Sequence, residues 1–118
     1  MSQSAIVQAL WGEPLRIVEG QVSVAGETAI IAAPGASLNI YVVMFQLQNE
    51  GANTHTLFVR MGSGASHNIW RLRLVSDGDG VALPLPAGFA FRLGANKPLI
   101  LNLAGVYPVG YNIVYYVK

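Results

Sequence analysis

The 118-residue chain has no cysteine and little charge. Charged residues make up 11% of the sequence, less than half of the about 25% found in an ordinary soluble domain. The missing cysteines exclude a disulfide-stapled miniprotein, thiolate metal sites and cysteine nucleophiles. A net charge of +1 gives no electrostatic reason to expect nucleic acid or an anionic membrane as partner. The hydrophobic fraction of 53% excludes a disordered chain.

Long apolar runs are also missing. No stretch approaches the roughly 18 apolar residues that span a bilayer, and the first residues lack the basic region and apolar core of a secretory signal. The longest apolar runs, Ala29–Pro34 and Ile40–Phe45, have the length of β-strands. We therefore expect a soluble protein that is synthesised in a cytoplasm and has no membrane partner.

Glycine and proline divide the chain at short intervals, with 13 Gly and 6 Pro in the whole sequence. The runs between them are rich in Val, Ile, Leu, Phe and Tyr, which is typical of an all-β sandwich or barrel. A single domain over residues 15–118 follows from this rhythm. The nine predicted strands are Leu15–Val24, Thr28–Ala33, Ser37–Gln48, His55–Met61, Asn68–Val75, Gly80–Leu83, Gly88–Leu93, Pro98–Leu103 and Tyr111–Val117.

Several of these strands alternate between apolar and polar side chains, as half-buried strands do. In Asn68–Val75, Arg71 and Arg73 share one face and apolar residues share the other. In Gly88–Leu93, Phe89 joins the predicted apolar face. Arg60 and Arg92 are on the polar faces of other predicted strands. The four arginines form either a solvated sheet face or a small basic patch that faces an acidic partner surface.

Two strands, Ser37–Gln48 and Tyr111–Val117, are apolar on both faces, which predicts a cover on both sides. A loop or arm of the same chain, or another subunit, could supply the second cover. We expect another subunit, with Tyr111, Tyr115 and Tyr116 at the contact. In the first of these strands, alternation predicts Tyr41, Val43, Phe45 and Leu47 on one face and Leu38, Ile40, Val42 and Met44 on the other.

Residues 1–14 precede the regular strand rhythm and alternate poorly. They contain Leu10 and Trp11, followed by a break at Gly12–Pro14. The segment is either a frayed terminus or an arm that docks these two side chains on a neighbouring protein, because Trp is enriched at interface hot spots.

No motif for catalysis or metal binding is complete. The two histidines, His55 and His67, have no zinc-ligand spacing around them. Asp77 and Asp79 resemble the start of a calcium loop, but the later ligand positions are filled by apolar or glycine residues. Ser63 lies close to His67 without a nucleophile elbow. We therefore expect no metal, no cofactor and no enzymatic activity.

A carbohydrate site is a further alternative, since sugars stack on exposed aromatic rings. Tyr107, between Gly105 and Gly110, is the candidate loop aromatic for such stacking. Packing in the core or at a protein interface explains the same residue, because Tyr is enriched at interfaces as well.

Three stretches resemble small structural proteins of tailed bacteriophage virions. They are Thr28–Ala36 with the long apolar strand that follows to Gly51, then Leu83–Gly88, and finally Leu99–Gly105 with Val109–Tyr111. The resemblance covers roughly residues 20–118 and leaves the N-terminal segment outside.

The resemblance implies a jelly-roll or Greek-key antiparallel β-sandwich of about eight strands, preceded by the N-terminal arm. It implies a homotrimeric capsid decoration (cement) protein on the virion surface, whose partners are the major capsid protein and its own copies. A tail- or fibre-associated module that binds a receptor or carbohydrate is the alternative. A monomeric carbohydrate-binding domain of cellular origin is the third.

Overall fold

A computed structural model describes residues 13–51, 57–64, 67–74, 79–86 and 88–118, where all regular structure is β-strand. The all-β prediction is confirmed, and every predicted strand overlaps an observed one. Within these ranges the chain has no helix able to cross a membrane. The strands are β1 (Arg16–Val22), β2 (Gly26–Ile31), β3 (Asn39–Asn49), β4 (Leu57–Gly64), β5 (His67–Leu74), β6 (Gly80–Pro84), β7 (Phe91–Ala95), β8 (Leu99–Leu103) and β9 (Val109–Val117).

The strands form two antiparallel sheets whose order is that of a jelly roll. The first sheet has the order β1-β9-β3-β6, with β7 also on β3, and the second has the order β2-β8-β4-β5. β6 pairs with the C-terminal half of β3 and β7 with its N-terminal half, so the two short strands share one edge position. Counted this way, each sheet has four strand positions, as in a double Greek key. The predicted jelly-roll sandwich is therefore confirmed.

The hydrophobic core lies between the two sheets. Leu99, Leu101 and Leu103 of β8 are buried while the residues between them are partly exposed, as alternation predicts. Phe45 of the first sheet packs against Trp70 of the second, with ring centroids 5.3 Å apart. The core thus joins both sheets through leucines and a small aromatic group.

One residue expected in the core lies outside it. Phe89 precedes β7 and is 65% exposed, whereas Phe91 packs against the core and Leu93 is buried. The prediction for Phe89 is wrong because the strand begins at Phe91, three residues later than the predicted start at Gly88. The turn before it bonds Phe89 N–H to the Pro86 carbonyl at 3.0 Å.

A β-bulge in β3 changes which residues face the core. The pairing of β3 with β9 shifts register at Val43. Before the bulge Ile40 and Val42 are fully buried, and after it Phe45 and Leu47 are. The two predicted faces of this strand are therefore wrong, because the extra residue turns core side chains from both sets toward the same side.

Candidate interaction surfaces

The outer face of the second sheet carries three arginines. Arg60 on β4 lies directly opposite Arg71 on β5, and Phe58 lies opposite Arg73. All four residues are exposed. The Arg73 guanidinium carbon lies 5.6 Å from the centre of the Phe58 ring, within range of a cation–π contact. We call Phe58, Arg60, Arg71 and Arg73 the arginine face.

Among the described residues, no counter-charge lies beside the Arg60–Arg71 pair. Like charges directly opposite each other on neighbouring strands destabilise a sheet. Within the described ranges no carboxylate forms an ion pair with either arginine. Glu27 shares their cross-strand row but is separated from Arg60 by Asn102, roughly 10 Å away by strand spacing. The described part of the chain therefore leaves a positive pair uncompensated on this face.

We expect Arg60→Glu to stabilise the isolated chain by about 0.5–1 kcal/mol, because it replaces a repulsive cross-strand pair with an attractive one. Urea unfolding of dilute protein, followed by tryptophan fluorescence, measures the change. Arg60→Gln is the matched control and should give a smaller gain, since it only removes the repulsion. A loss of stability in Arg60→Glu would contradict the proposed electrostatics.

The outer face of the first sheet is polar at the end where β1 and β9 meet the loop after β3. Glu19, Asn112 and Gln46 lie in one cross-strand row, and Gln21 and Gln48 lie in the next on either side of Gly110. Glu19, Gln46, Gln48, Glu50 and Asn112 line a depression of about 90 Å³ there. We call Glu19, Gln21, Gln46, Gln48, Glu50 and Asn112 the carboxamide face.

Glu50 is held in place on this face. Gln21 Nε2 donates a hydrogen bond to Glu50 Oε1 at 3.1 Å, and the Glu50 backbone N–H donates to the Pro108 carbonyl at 2.9 Å. A Cβ atom at position 110 would overlap the Glu50 carboxyl group, so Gly110 lets this carboxylate lie against β9. The carboxylate is thereby fixed above the sheet.

The other end of the first sheet's outer face carries an aromatic pair, with Arg92 beside it on β7. Tyr41 and Tyr116, paired across β3 and β9, stack with ring centroids 4.7 Å apart and planes 9° from parallel. Burial first, and then the acidic groups of Tyr41 and Glu13, raise the pKa of the Tyr116 hydroxyl above its usual value. Ile17 is 73% exposed and pairs with Val114 in the adjoining row.

The predicted tyrosine contact is divided between two environments. Tyr111 and Tyr115 lie on the inner side of β9 and pack against the core. Tyr116 lies on the outer side, where it is only 9% exposed in the single chain. The chain itself therefore covers most of Tyr116, while Tyr111 and Tyr115 are partly exposed. The subunit contact through these three tyrosines stays a prediction.

The other residues predicted to bind a partner or a sugar differ in their exposure. Arg71 and Arg73 are exposed on one face, as predicted. Tyr107 is partly buried and packs against the core rather than standing free in its loop. Leu10 and Trp11 lie outside the described residues, so the arm stays a prediction.

The structure describes only some of the candidate metal and catalytic residues. His55 and Asp77 lie outside the described residues, and only the backbone of His67 is described. Within the described ranges, no three His, Asp or Glu side chains come together as metal ligands.

Sequence reasoning did not identify the role of Glu50. Its position depends on Gly110, which is 60 residues further along the chain, and on the pairing of β3 with β9. No local pattern around Glu50 carries that information.

Compared by sequence, the chain matches no protein-family model and no curated protein. Compared by structure, it is similar to a chain in the acidic stable capsid structure of Helicobacter pylori bacteriophage KHP30. The TM-score is 0.57 at 15% identity, covering 88% of this chain and 90% of that chain.

Two further structural similarities have lower scores. A chain from the disulfide-linked pili of Bacillus endospore appendages has a TM-score of 0.38 at 14% identity, covering 86% of this chain and 88% of that chain. The coat protein of Tobacco streak virus has a TM-score of 0.31 at 11% identity, covering 84% of this chain and 85% of that chain. The TM-score of 0.57 shows that this chain shares its fold with the KHP30 chain.

Proposed function

We propose that this chain is a non-enzymatic structural protein of a bacteriophage virion, and specifically a capsid decoration (cement) protein. The observation that carries the proposal is the similarity to a chain of a phage capsid structure over 88% of this chain and 90% of that one. The similarity thus extends over most of both chains. Since a fold alone does not define a function, the surfaces of the chain must support the same role.

The surface composition supports a role in an assembly. Only 11% of the residues are charged, and Ile17, Phe89 and Val106 are 73%, 65% and 72% exposed. A decoration protein stabilises a shell by burying such apolar area across subunit boundaries, at about 25 cal/mol per Å² before entropic costs. Bridging between major capsid subunits would use several of these positions at once.

The location and copy number of the protein in purified particles test the proposal. Quantitative mass spectrometry should find the protein in the head, at a copy number comparable with that of the major capsid subunit. A handful of copies in tails would instead support the tail or fibre role. Absence from particles would overturn the virion role.

The N-terminal arm is the proposed attachment to the capsid. We expect Trp11→Ala to weaken binding to undecorated heads by about thirtyfold or more, because truncation of a hot-spot tryptophan costs about 2 kcal/mol or more. A co-sedimentation assay with full-length protein measures this. Gln8→Ala, in the same segment, is the control and should bind as the wild type does. Equal binding of the two variants would contradict the arm assignment.

A further inference from the structure

The arginine face and the carboxamide face lie on opposite sides of the sandwich and carry opposite charge. Arg60, Arg71 and Arg73 point outward from the second sheet. Glu19 and Glu50 line the depression on the outer face of the first sheet. Because the two sheets pack against each other through their inner faces, these charges cannot meet within one molecule.

Both faces keep their charges largely uncompensated within the described part of the chain. The Arg60–Arg71 pair has no carboxylate partner there, and Glu50 is bonded through its side chain to a neutral amide, Gln21. Glu19 likewise has no ion-pair partner among the described residues. Each face therefore presents groups that an oppositely charged surface would satisfy.

Each face also contains a charge of the other sign, but neither is at its centre. Glu27 is on the second sheet, across Asn102 from the nearest arginine. Arg92 is on the first sheet, paired with Tyr41 at the opposite end from the depression. The Arg92 side chain donates a hydrogen bond from Nε to Asn39 Oδ1 at 3.2 Å.

We propose that the arginine face of one copy packs on the carboxamide face of a second copy of this chain. An arginine of the first copy enters the depression between Glu19 and Glu50 of the second, where guanidinium and carboxylate form charge-assisted hydrogen bonds. The side-chain carbonyls of Gln46, Gln48 and Asn112 can accept further N–H groups of the guanidinium. The occupant is a second copy because both complementary surfaces are present on the same chain.

This contact is head-to-tail, since it joins two different surfaces. A heterologous contact either closes into a ring or grows into a filament, depending on the rotation between neighbours. A closed ring of three copies would supply the trimer that the resemblance to virion proteins implies, without using the tyrosines of β9. The inference goes beyond the capsid role and does not rest on it, because self-association is measured with the isolated protein.

The test uses two variants with reversed charges. In Arg60→Glu/Arg71→Glu both outer faces are acidic, and in Glu19→Arg/Glu50→Arg both are basic. Each variant alone should associate at least about thirtyfold more weakly than the wild type, as expected when close charge pairs are lost. An equimolar mixture should associate again, because each acidic face then finds a basic one. Analytical ultracentrifugation measures all four samples.

The controls separate the faces from the overall charge and from folding. Lys97→Glu/Lys118→Glu changes the net charge as much as the double arginine variant but lies off both faces, so its association should equal that of the wild type. Circular dichroism verifies folding of each variant. Glu19→Gln/Glu50→Gln keeps the side-chain shapes and should also weaken association if the arginine variant of this face fails to fold.

Three results would each overturn the proposal. They are a monomeric wild type at low salt, unchanged association in the charge-reversed variants, and a mixture that fails to associate. Association of the wild type should also fall with added salt, as the Debye length shrinks from about 10 Å at 0.1 M to about 3 Å at 1 M. The capsid role is tested by a different measurement, the location and copy number of the protein in particles. Failure of self-association therefore does not decide that role.

Discussion

Phe45→Ala is expected to destabilise the chain by about 3–5 kcal/mol, a large part of the about 5–15 kcal/mol that holds a typical domain folded. Phe45 is fully buried at the centre of β3. Its ring centroid lies 5.3 Å from that of Trp70 and 6.5 Å from that of Phe91. Truncation therefore removes an aromatic contact between the two sheets and leaves a cavity that both aromatic neighbours line.

The matched control is Phe89→Ala, which makes the same chemical change at a side chain that is 65% exposed. It should alter stability by no more than about 0.5 kcal/mol. Urea unfolding followed by circular dichroism compares the two variants, since truncating Phe45 also perturbs Trp70 fluorescence. Similar losses in both variants would contradict the assignment of Phe45 to the core and Phe89 to the surface.

The strands were predictable because their signal is local. In β8, Leu99, Leu101 and Leu103 alternate with Ile100 and Asn102, and the structure buries the leucines. Glycine and proline bound most such runs, so the position of each strand follows from residues close to it in sequence. The all-β class could therefore be derived from the chain alone.

The bulge in β3 was not predictable because its cause is non-local. β3 pairs with β7 up to Val42 and with β6 from Met44 onward, so the bulge lies where the edge partner changes. At that point the Leu85 N–H donates a hydrogen bond to the Val43 carbonyl at 3.0 Å. Since apolar residues fill both alternating sets of this strand, no local pattern indicates where the alternation shifts.

The candidate surfaces also combine features that local sequence predicts with features that depend on distant strands. That Arg71 and Arg73 share a face follows from their spacing in one strand, and the structure agrees. That Arg60 lies opposite Arg71 depends on the register of β4 with β5, which a single sequence does not define. The meeting of Glu50 with Gly110 depends on pairing between distant strands.

The apolar residues that suggested a second covered face on β3 and β9 lie elsewhere than predicted. Part of the apparent second face of β3 belongs to the core because of the bulge, and the stacked Tyr41–Tyr116 pair is largely covered within the chain. Among the described residues, the apolar surface that remains is scattered over Ile17, Val24, Leu38, Phe58, Phe89 and Val106. With so little charge, the few arginines and glutamates have a large influence on which surfaces can meet, which is why their separation onto opposite faces matters.

Deletion experiments in β3 test how the bulge and the core are related. Without Val43, the order Val42, Met44, Phe45 alternates regularly, so every core residue of the strand keeps its side. We expect this deletion to leave the chain folded. The free energy of unfolding should fall by about 1.5–3 kcal/mol, because the buried Val43 side chain and its carbonyl's hydrogen bond with Leu85 are lost.

Deletion of Gln46, three residues away, should be more damaging although it removes an exposed side chain. If the bulge persists, Leu47 and Asn49, both fully buried, turn outward. If the strand straightens instead, Phe45 turns outward and Met44 replaces it in the core. Either outcome costs at least about 3 kcal/mol, since a large core side chain is lost. Urea unfolding of the two deletions should therefore rank Val43 as the tolerated one, and the reverse order would contradict the assigned bulge.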